Sequence, residues 1–588
     1  MKLSGFASPI FIWMVFWAYR NKLGRRFFMP IQLTTDEGSA LLKSGQTPWN
    51  CYPRPQMRRD SYVNLNGMWD LVVDRKRYQI RVPFCPESLL SGIDAHFPEK
   101  TPLIYSRNFQ LPQDFNKGRI LLHIGAADQI AEVYVNQKKV AEHIGGYHSF
   151  SVDITDLLLP DNILTIRCID DLRDKSQPYG KQVLPKKRGG MWYTPVSGIW
   201  QSVWLESVPE DYISGLKIEN RGYSVTISVQ PVQEGTVIVP ELGEFPLENG
   251  KVTISPENPH LWSPEDPYLY DFTVKTREDE VASYFAIRCL DIQGNRLCLN
   301  GKPYFFHGLL DQGYWPDGLF TPAAPECYAQ DILTMKKLGF NTLRKHIKVE
   351  PEEFYYQCDR LGMIVFQDMV NNGPYHFLRD TALPTLGLQQ LPDKLLHPNK
   401  KTRQEFLRQA AQTVHQLQNH PCICYWTIFN EGWGQFDSDR VYQEFLALDD
   451  TRFIDTTSGW FRRQESQVDS RHVYFRPIKL KPSEKPLVLS EFGGYSYQDR
   501  DHIFNPTNTY GYGKYENAEE FARAVASLYW KQVLPAVSQG LCAAIYTQLS
   551  DVEDETNGIL SYDRKVCKLT EEMMLPIAKA LQEKLENS

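Results

Sequence analysis

The chain has 588 residues, too many for one hydrophobic core, so several domains are expected. Charged residues make up 23% and apolar residues 42%, which fits a soluble globular class. The 64 basic side chains against 71 acidic ones give a net charge of −7, which argues against nucleic acid as a partner.

Residues 6–19 are apolar, but Pro9 interrupts them and they fall short of the ~20 residues a spanning helix needs. Arg20, Lys22, Arg25 and Arg26 follow this run, whereas a secretory signal carries its positive charge in front. Residues 1–28 are therefore set apart as an N-terminal extension. Three readings stay open for them: a start codon placed upstream of Met29, a weak anchor with the body cytoplasmic, or export. The first is favoured. A cytoplasmic location is expected, with no membrane partner.

Residues 29–209 are strand-rich, with short alternating runs at 120–124, 131–135, 163–168 and 200–206. Turn residues lie between runs, among them Asn66-Gly67 and Gly145-Gly146, and an all-β sandwich is predicted. Residues 210–289 continue in a smaller unit, with strands expected at 224–230, 236–239, 251–254 and 268–276. About 80 residues suits an immunoglobulin-like sandwich. From residue 290 to 588 strands alternate with helices. Strand candidates fall at 304–310, 341–346, 363–369, 422–430, 453–457, 472–475, 487–490 and 541–549. Helices are expected at 325–338, 351–361, 403–418, 439–446, 519–533 and 569–585. Eight strands in about 300 residues predict a (β/α)8 barrel; a doubly wound sheet is the alternative, without a dinucleotide fingerprint to support it.

Eleven cysteines lack C-x-x-C or C-x-x-H spacing and read as reduced thiols, with Cys422 and Cys424 in the core. No zinc pattern and no phosphate-cradling loop is visible, so neither metal nor cofactor is expected. Aromatic residues reach 13%; their flat faces cover sugar C–H surfaces, and they also fill ordinary cores.

In a barrel of this kind the active site lies at the C-terminal strand ends. Those ends carry Asp311, Arg344 with His346, Asp368, Asn430 with Glu431, Trp460, His472 with Tyr474, Glu491 and Gln548. Glu431 and Glu491 each close an apolar run. A carboxylate there is poorly solvated, so its pKa can be moved, and two facing one substrate atom are the minimum set for cleaving a glycosidic bond.

These residues resemble glycoside hydrolase family 2, which holds β-galactosidases, β-glucuronidases and β-mannosidases. Residues 419–426, reading Asn-His-Pro-Cys-Ile-Cys-Tyr-Trp, with Asn430-Glu431 follow the family's acid/base signature; Thr427 departs from it. Asn341 and Arg344, then Phe354-Tyr355, Asp359 and Gly362, follow a second signature. Asn66-Gly67 with Trp69, Gly198-Ile199-Trp200, Leu261-Trp262-Ser263-Pro264 and Asn300-Gly301-Lys302 match further landmarks. The resemblance implies a jelly-roll-like sandwich, an immunoglobulin-like sandwich and a TIM barrel. It implies a retaining exo-β-glycosidase acting on an oligosaccharide or other glycoside, with Glu431 as acid/base and Glu491 as nucleophile. Arg344 and Tyr474 are then placed at Glu491, and Asn430 at the sugar 2-OH. Trp433, with Trp426 and Phe429, supplies apolar surroundings to the acid. His346 falls one position earlier than the family's histidine, so a substrate contact and a structurally bonded histidine both stay open. His472, Trp460, Asp311, Gln548 and Asn557 complete the expected substrate-binding set. β-Glucuronidases place an Asn-x-Lys at the positions of Glu555 and Asn557, and Asn557 cannot supply the Lys charge. A neutral sugar, galactose first, is therefore expected, with a uronic acid or mannose as alternatives. A non-catalytic sugar-binding protein is the distant alternative, and oligomeric state stays open.

Overall fold

The computed structural model describes residues 31–588 apart from 386–387, 389–391, 397–398 and 475. The expectations for residues 1–28 and for Phe475 therefore lie outside the described residues. Among the described residues no helix is long and apolar enough to cross a membrane.

Three layers follow one another along the chain. The first is a sandwich of a six-stranded and a four-stranded antiparallel sheet. Strand Gly67–Val73 shows why it forms: Trp69, Leu71 and Val73 point inward while Met68 and Asp70 face water, the period of two that a half-buried sheet requires. Tyr105, Leu122, Val133, Ile166 and Leu205 fill the space between the sheets. The predicted strand at 200–206 lies instead at Val203–Val208, because Trp200 leaves the sheet to donate its indole N–H to Gly146 O (2.7 Å). The second unit packs sheets of three and four antiparallel strands over Ile218, Ile227, Val237, Phe272 and Val281. A helix that the sequence reading missed, Asp36–Ser44, precedes both. Thr35 caps it, and its hydroxyl also donates to Asp317 of the barrel (2.6 Å).

The barrel strands are β1 (Phe306–Asp311), β2 (Thr342–Lys345), β3 (Ile364–Asp368), β4 (Ile423–Asn430), β5 (Phe453–Ser458), β6 (Asp469–Val473), β7 (Leu487–Gly493) and β8 (Leu541–Thr547). They pair in parallel in the order 5-4-3-2-1-8-7-6. Every residue of β4 is buried, so the strand reads as one apolar run rather than an alternation. Strand β6 begins three residues before the predicted 472–475. Its Asp469 is clamped by Arg471 and its Ser470 is polar, so half the strand lacks the apolar signal. No backbone ladder joins β5 to β6 among the described residues. Serine side chains span this seam: Ser458 Oγ lies 3.3 Å from Ser470 Oγ and donates to Ser490 Oγ at 3.0 Å.

Several signature residues prove to be joints. Asn419 donates to Leu216 O (2.9 Å) and accepts from Ile218 N (2.8 Å), which pins the middle sandwich to the barrel. Asp359 accepts from Cys422 N (2.8 Å) and pairs with His420 Nδ1 (2.7 Å), tying a helix to the start of β4. Asn341 accepts from His307 N and donates to Phe305 O, fixing β1 against β2.

Candidate active site

Arg344 is the centre of the strand-end cluster. Its Nε donates to Asp368 Oδ1 (2.9 Å), Nη1 to Ser490 O (3.0 Å) and Glu491 Oε1 (3.2 Å), and Nη2 to Asn430 Oδ1 (2.9 Å). One guanidinium thus links β2, β3, β4 and β7. Burial disfavours its charge, and Asp368 and Glu491 more than offset that, so it stays cationic.

Glu491 ends the apolar part of β7 and is 5% exposed. Burial alone pushes its carboxyl pKa up. His472, Arg344 and His346, together with the hydrogen bond from Tyr474, overcome this and hold it at about 2. Tyr512 stacks on Tyr474 at 4.2 Å and braces that phenol.

Glu431 follows β4 at φ +53°, a left-handed backbone that a non-glycine residue rarely adopts. Its N–H donates to Ser458 O on β5 (2.9 Å), which helps hold the turn. Gly432, at φ +71°, follows because a Cβ there would fall 2.1 Å from the Phe461 ring. Among the described residues, the basic group in ion-pair contact with the Glu431 carboxylate is His472, whose Nδ1 lies 2.8 Å from Oε1. His472 Nε2 in turn lies 3.0 Å from Ser458 Oγ. The same Nδ1 is 3.6 Å from Glu491 Oε2. One oxygen of each glutamate and the histidine nitrogen lie within 4.8 Å of one another.

His346 Nδ1 sits 2.8 Å from Asp368 Oδ2 and 4.0 Å from Glu491 Oε1, and burial lowers its pKa. It is held structurally and faces the cluster at the same time. Trp460 meets the His472 ring edge-on at 5.4 Å. Trp433 lies above β4, its indole donating to Gly373 O (3.1 Å). Gln548 accepts from Gln312 (2.8 Å), and Asn557 donates to Glu555 (3.1 Å). Among the described residues, Gln548 Nε2, Asn557 Oδ1 and Trp460 Nε1 are buried polar atoms with no protein partner, the kind of groups sugar hydroxyls satisfy. Asp311 stands apart. Its carboxylate takes Lys345 Nζ (2.5 Å) and Gly313 N (2.8 Å) within a buried charge cluster that includes Glu350 and Lys348.

The strand-end list misses residues that reach the site from the first sandwich. Tyr179 N donates to Asn371 O (3.0 Å) and its phenol to Gly373 O (2.8 Å), laying this segment across the end of β3. Lys181 follows, its Nζ 5.9 Å from the Trp192 ring centre and its charge acting on both Glu555 and His346. Trp192 packs edge-on against Trp433 (5.4 Å) and Tyr375 (5.0 Å). Tyr193 donates its hydroxyl to Glu555, and Arg188 pairs with Glu553 (3.2 Å). No spacing in the sequence marks these residues, because another domain delivers them.

Three family models match in chain order. "Glycosyl hydrolase 2 galactose-binding domain-like" covers residues 88–188, "Glycosyl hydrolases family 2" residues 212–288, and "Glycosyl hydrolases family 2, TIM barrel domain" residues 290–500. The chain belongs to glycoside hydrolase family 2. Among relatives, it is 22% identical over 437 residues to a β-galactosidase of Thermoanaerobacter pseudethanolicus, covering 68% of this chain and 54% of that one. It is 24% identical over 397 residues to the β-glucuronidase of Homo sapiens, covering 60% of this chain and 58% of that one. The family 2 chain thus spans little more than half the length of these curated relatives. Among solved structures, a β-D-glucuronidase of Dictyoglomus thermophilum superposes with TM-score 0.68 at 18% identity, over 91% of this chain and 99% of that one. A β-galacturonidase of Eisenbergiella tayi gives TM-score 0.65 at 18% identity, over 91% of this chain and 99% of that one. These likenesses show the shared three-domain fold.

Proposed function

We propose that this family 2 chain is a retaining exo-β-glycosidase. The observation that carries the reading is the Glu431–Glu491 pair, with oxygens within 4.8 Å. Retaining enzymes hold their carboxyl groups ~5–5.5 Å apart, whereas inverting enzymes leave ~6.5–9.5 Å for a water. Glu491 is the nucleophile, since Arg344 and Tyr474 keep it ionised. Its oxygen attacks the anomeric carbon and forms a glycosyl ester. The leaving oxygen takes the proton of Glu431. Water then gives a proton back to Glu431, attacks the same carbon and frees Glu491. Asn430, held by Arg344, is placed to bind the sugar 2-OH. The Trp192–Trp433–Tyr375 wall across the strand ends favours attack at a chain terminus.

The sugar we assign first is neutral and β-linked, galactose before others. Glu555 carries this choice: it is buried beside Asn557, Tyr193 and the end of β8, and a buried acid repels a sugar carboxylate. A second reading, a β-glucuronide, has its own support in Lys181, a cation the sandwich brings to the same wall.

A panel of nitrophenyl β-glycosides at pH 6–7 tests the proposal, with proton NMR of the first product. Early β-anomer is expected from a β-glycoside. Early α-anomer would refute retention, and a tenfold preference for the glucuronide would replace the neutral sugar by the uronic acid.

A further inference from the structure

We propose that Glu431, His472 and Glu491 also form a three-ligand site for a borderline divalent cation of the Zn2+ class, which competes with the glycoside. The competition rests on the glycosidase reading above; the binding does not.

The geometry comes first. His472 Nδ1 lies 2.8 Å from Glu431 Oε1 and 3.6 Å from Glu491 Oε2, and all three ligand atoms fall within 4.8 Å of one another. With metal–ligand bonds of about 2.0–2.2 Å, neighbouring ligands of a tetrahedral zinc stand about 3.4 Å apart. The set reaches that spacing only if the glutamate side chains turn to open the 2.8 Å contact and close the wider ones. Of the three, Glu431 is the most open, with its side chain 17% exposed, so an exchangeable fourth ligand would approach from its side. That is the arrangement of an accessible zinc site, three protein ligands plus one exchangeable position.

The imidazole cannot easily turn away. Ser458 Oγ engages Nε2 at 3.0 Å, leaving Nδ1 directed at the carboxylates. Gly459, at φ +87°, presses on the ring so closely that a Cβ would fall 2.6 Å from it. Trp460 closes the remaining side edge-on.

Charge agrees. In ion-pair contact, Glu491 and Asp368 share the single guanidinium of Arg344, and Glu431 adds a third carboxylate, an acidic excess that suits a dication, while Lys181 acts from further out on His346 and Glu555. Arg344 is already engaged by Asp368, Asn430 and Ser490, and it reaches Glu491 through Oε1 while the histidine faces Oε2. Tyr474 donates to Oε2 and must yield part of that lone pair. The ligands come from β6, the end of β7 and the turn after β4, and no linear spacing announces them.

The full chain, stripped with EDTA, is titrated with Zn2+ alone by calorimetry and with Co2+ by visible absorbance. One site with tetrahedral cobalt bands is expected. His472→Asn, which removes the nitrogen ligand and keeps a hydrogen-bond donor, should weaken Zn2+ at least about 100-fold, and Ser458→Ala about tenfold. Glu491→Gln, nearly isosteric, should also weaken it about 100-fold. In the glycoside assay the apparent inhibition constant should rise linearly with substrate. Unchanged Zn2+ affinity in both His472→Asn and Glu491→Gln, or inhibition independent of substrate concentration, overturns the site. A chain that binds Zn2+ as expected yet hydrolyses no glycoside overturns the glycosidase reading instead.

Discussion

Replacing Arg344 with Ala separates the chemistry of this site from its binding. The guanidinium stands 3.2 Å from Glu491, whose side chain is 6% exposed, so water screens the pair little. Two charges at that distance interact by about 5 kcal/mol at an effective dielectric of 20, before the guanidinium's own desolvation is subtracted. A net of about 3 kcal/mol corresponds to about two pKa units. Glu491 then rises from about 2 toward the ordinary carboxylate range, and burial carries it further up. In the parent chain the depressed pKa stabilises the fold above that ordinary range, and this is lost as pH falls toward about 2. The variant loses that contribution. The acid limb of kcat/KM should move up by about two pH units and kcat should fall about 150-fold, with KM changed little. Asp368 loses its guanidinium partner as well and keeps only His346, and breaking a buried pair costs about 3–5 kcal/mol, so rates are taken per folded molecule by active-site titration. Arg344→Lys keeps a charge and should keep the acid limb near its original place while still losing kcat. An unmoved acid limb in Arg344→Ala, with only KM raised, would refute the role assigned to this residue.

Glu491→Ala should be nearly inactive, and azide should restore turnover as the α-glycosyl azide; Glu431→Ala should keep its first step on substrates with good leaving groups and give the β-azide. Product NMR reads both, and swapped stereochemistry would reverse the two roles. Glu555→Gln keeps the contact with Tyr193 and removes the acid. It should raise kcat/KM on nitrophenyl β-glucuronide relative to the galactoside about tenfold, and no change in that ratio would detach Glu555 from sugar choice. Gly459→Ala should cost about 1–3 kcal/mol in thermal unfolding and lower kcat together, because the added Cβ meets the His472 ring at a left-handed backbone position. Full stability in that variant would mean the ring is free to move.

The barrel was legible because its strands are buried on both faces and alternate with helices at the expected interval. Strand β4 and its terminal Asn430-Glu431 stand out in the sequence for this reason. The antiparallel strands at 224–230, 236–239 and 251–254 were equally plain, each bounded by turn residues. Strand β6 was misplaced because Asp469 and Ser470 are polar: Ser470 meets Ser458 across the seam, and Asp469 takes Arg462 and Arg471. The two glutamates were found by position alone, but their environments were not. Nothing in the sequence shows that Asp311 turns into a salt-bridge cluster, or that His472 touches Glu431 from another strand. Lys181, Trp192 and Tyr193 were invisible because a strand-end argument looks only within the barrel.

The first sandwich brings Tyr179, Lys181, Trp192 and Tyr193 to the rim of a cluster whose two paired glutamates belong to the barrel. On the proposed reading, sugar choice is shared by two stretches far apart in the sequence, the 179–193 segment of the sandwich and Glu555 of the barrel. A change in the 179–193 segment would alter the wall against which Glu555 sits while leaving Glu431 and Glu491 where they stand.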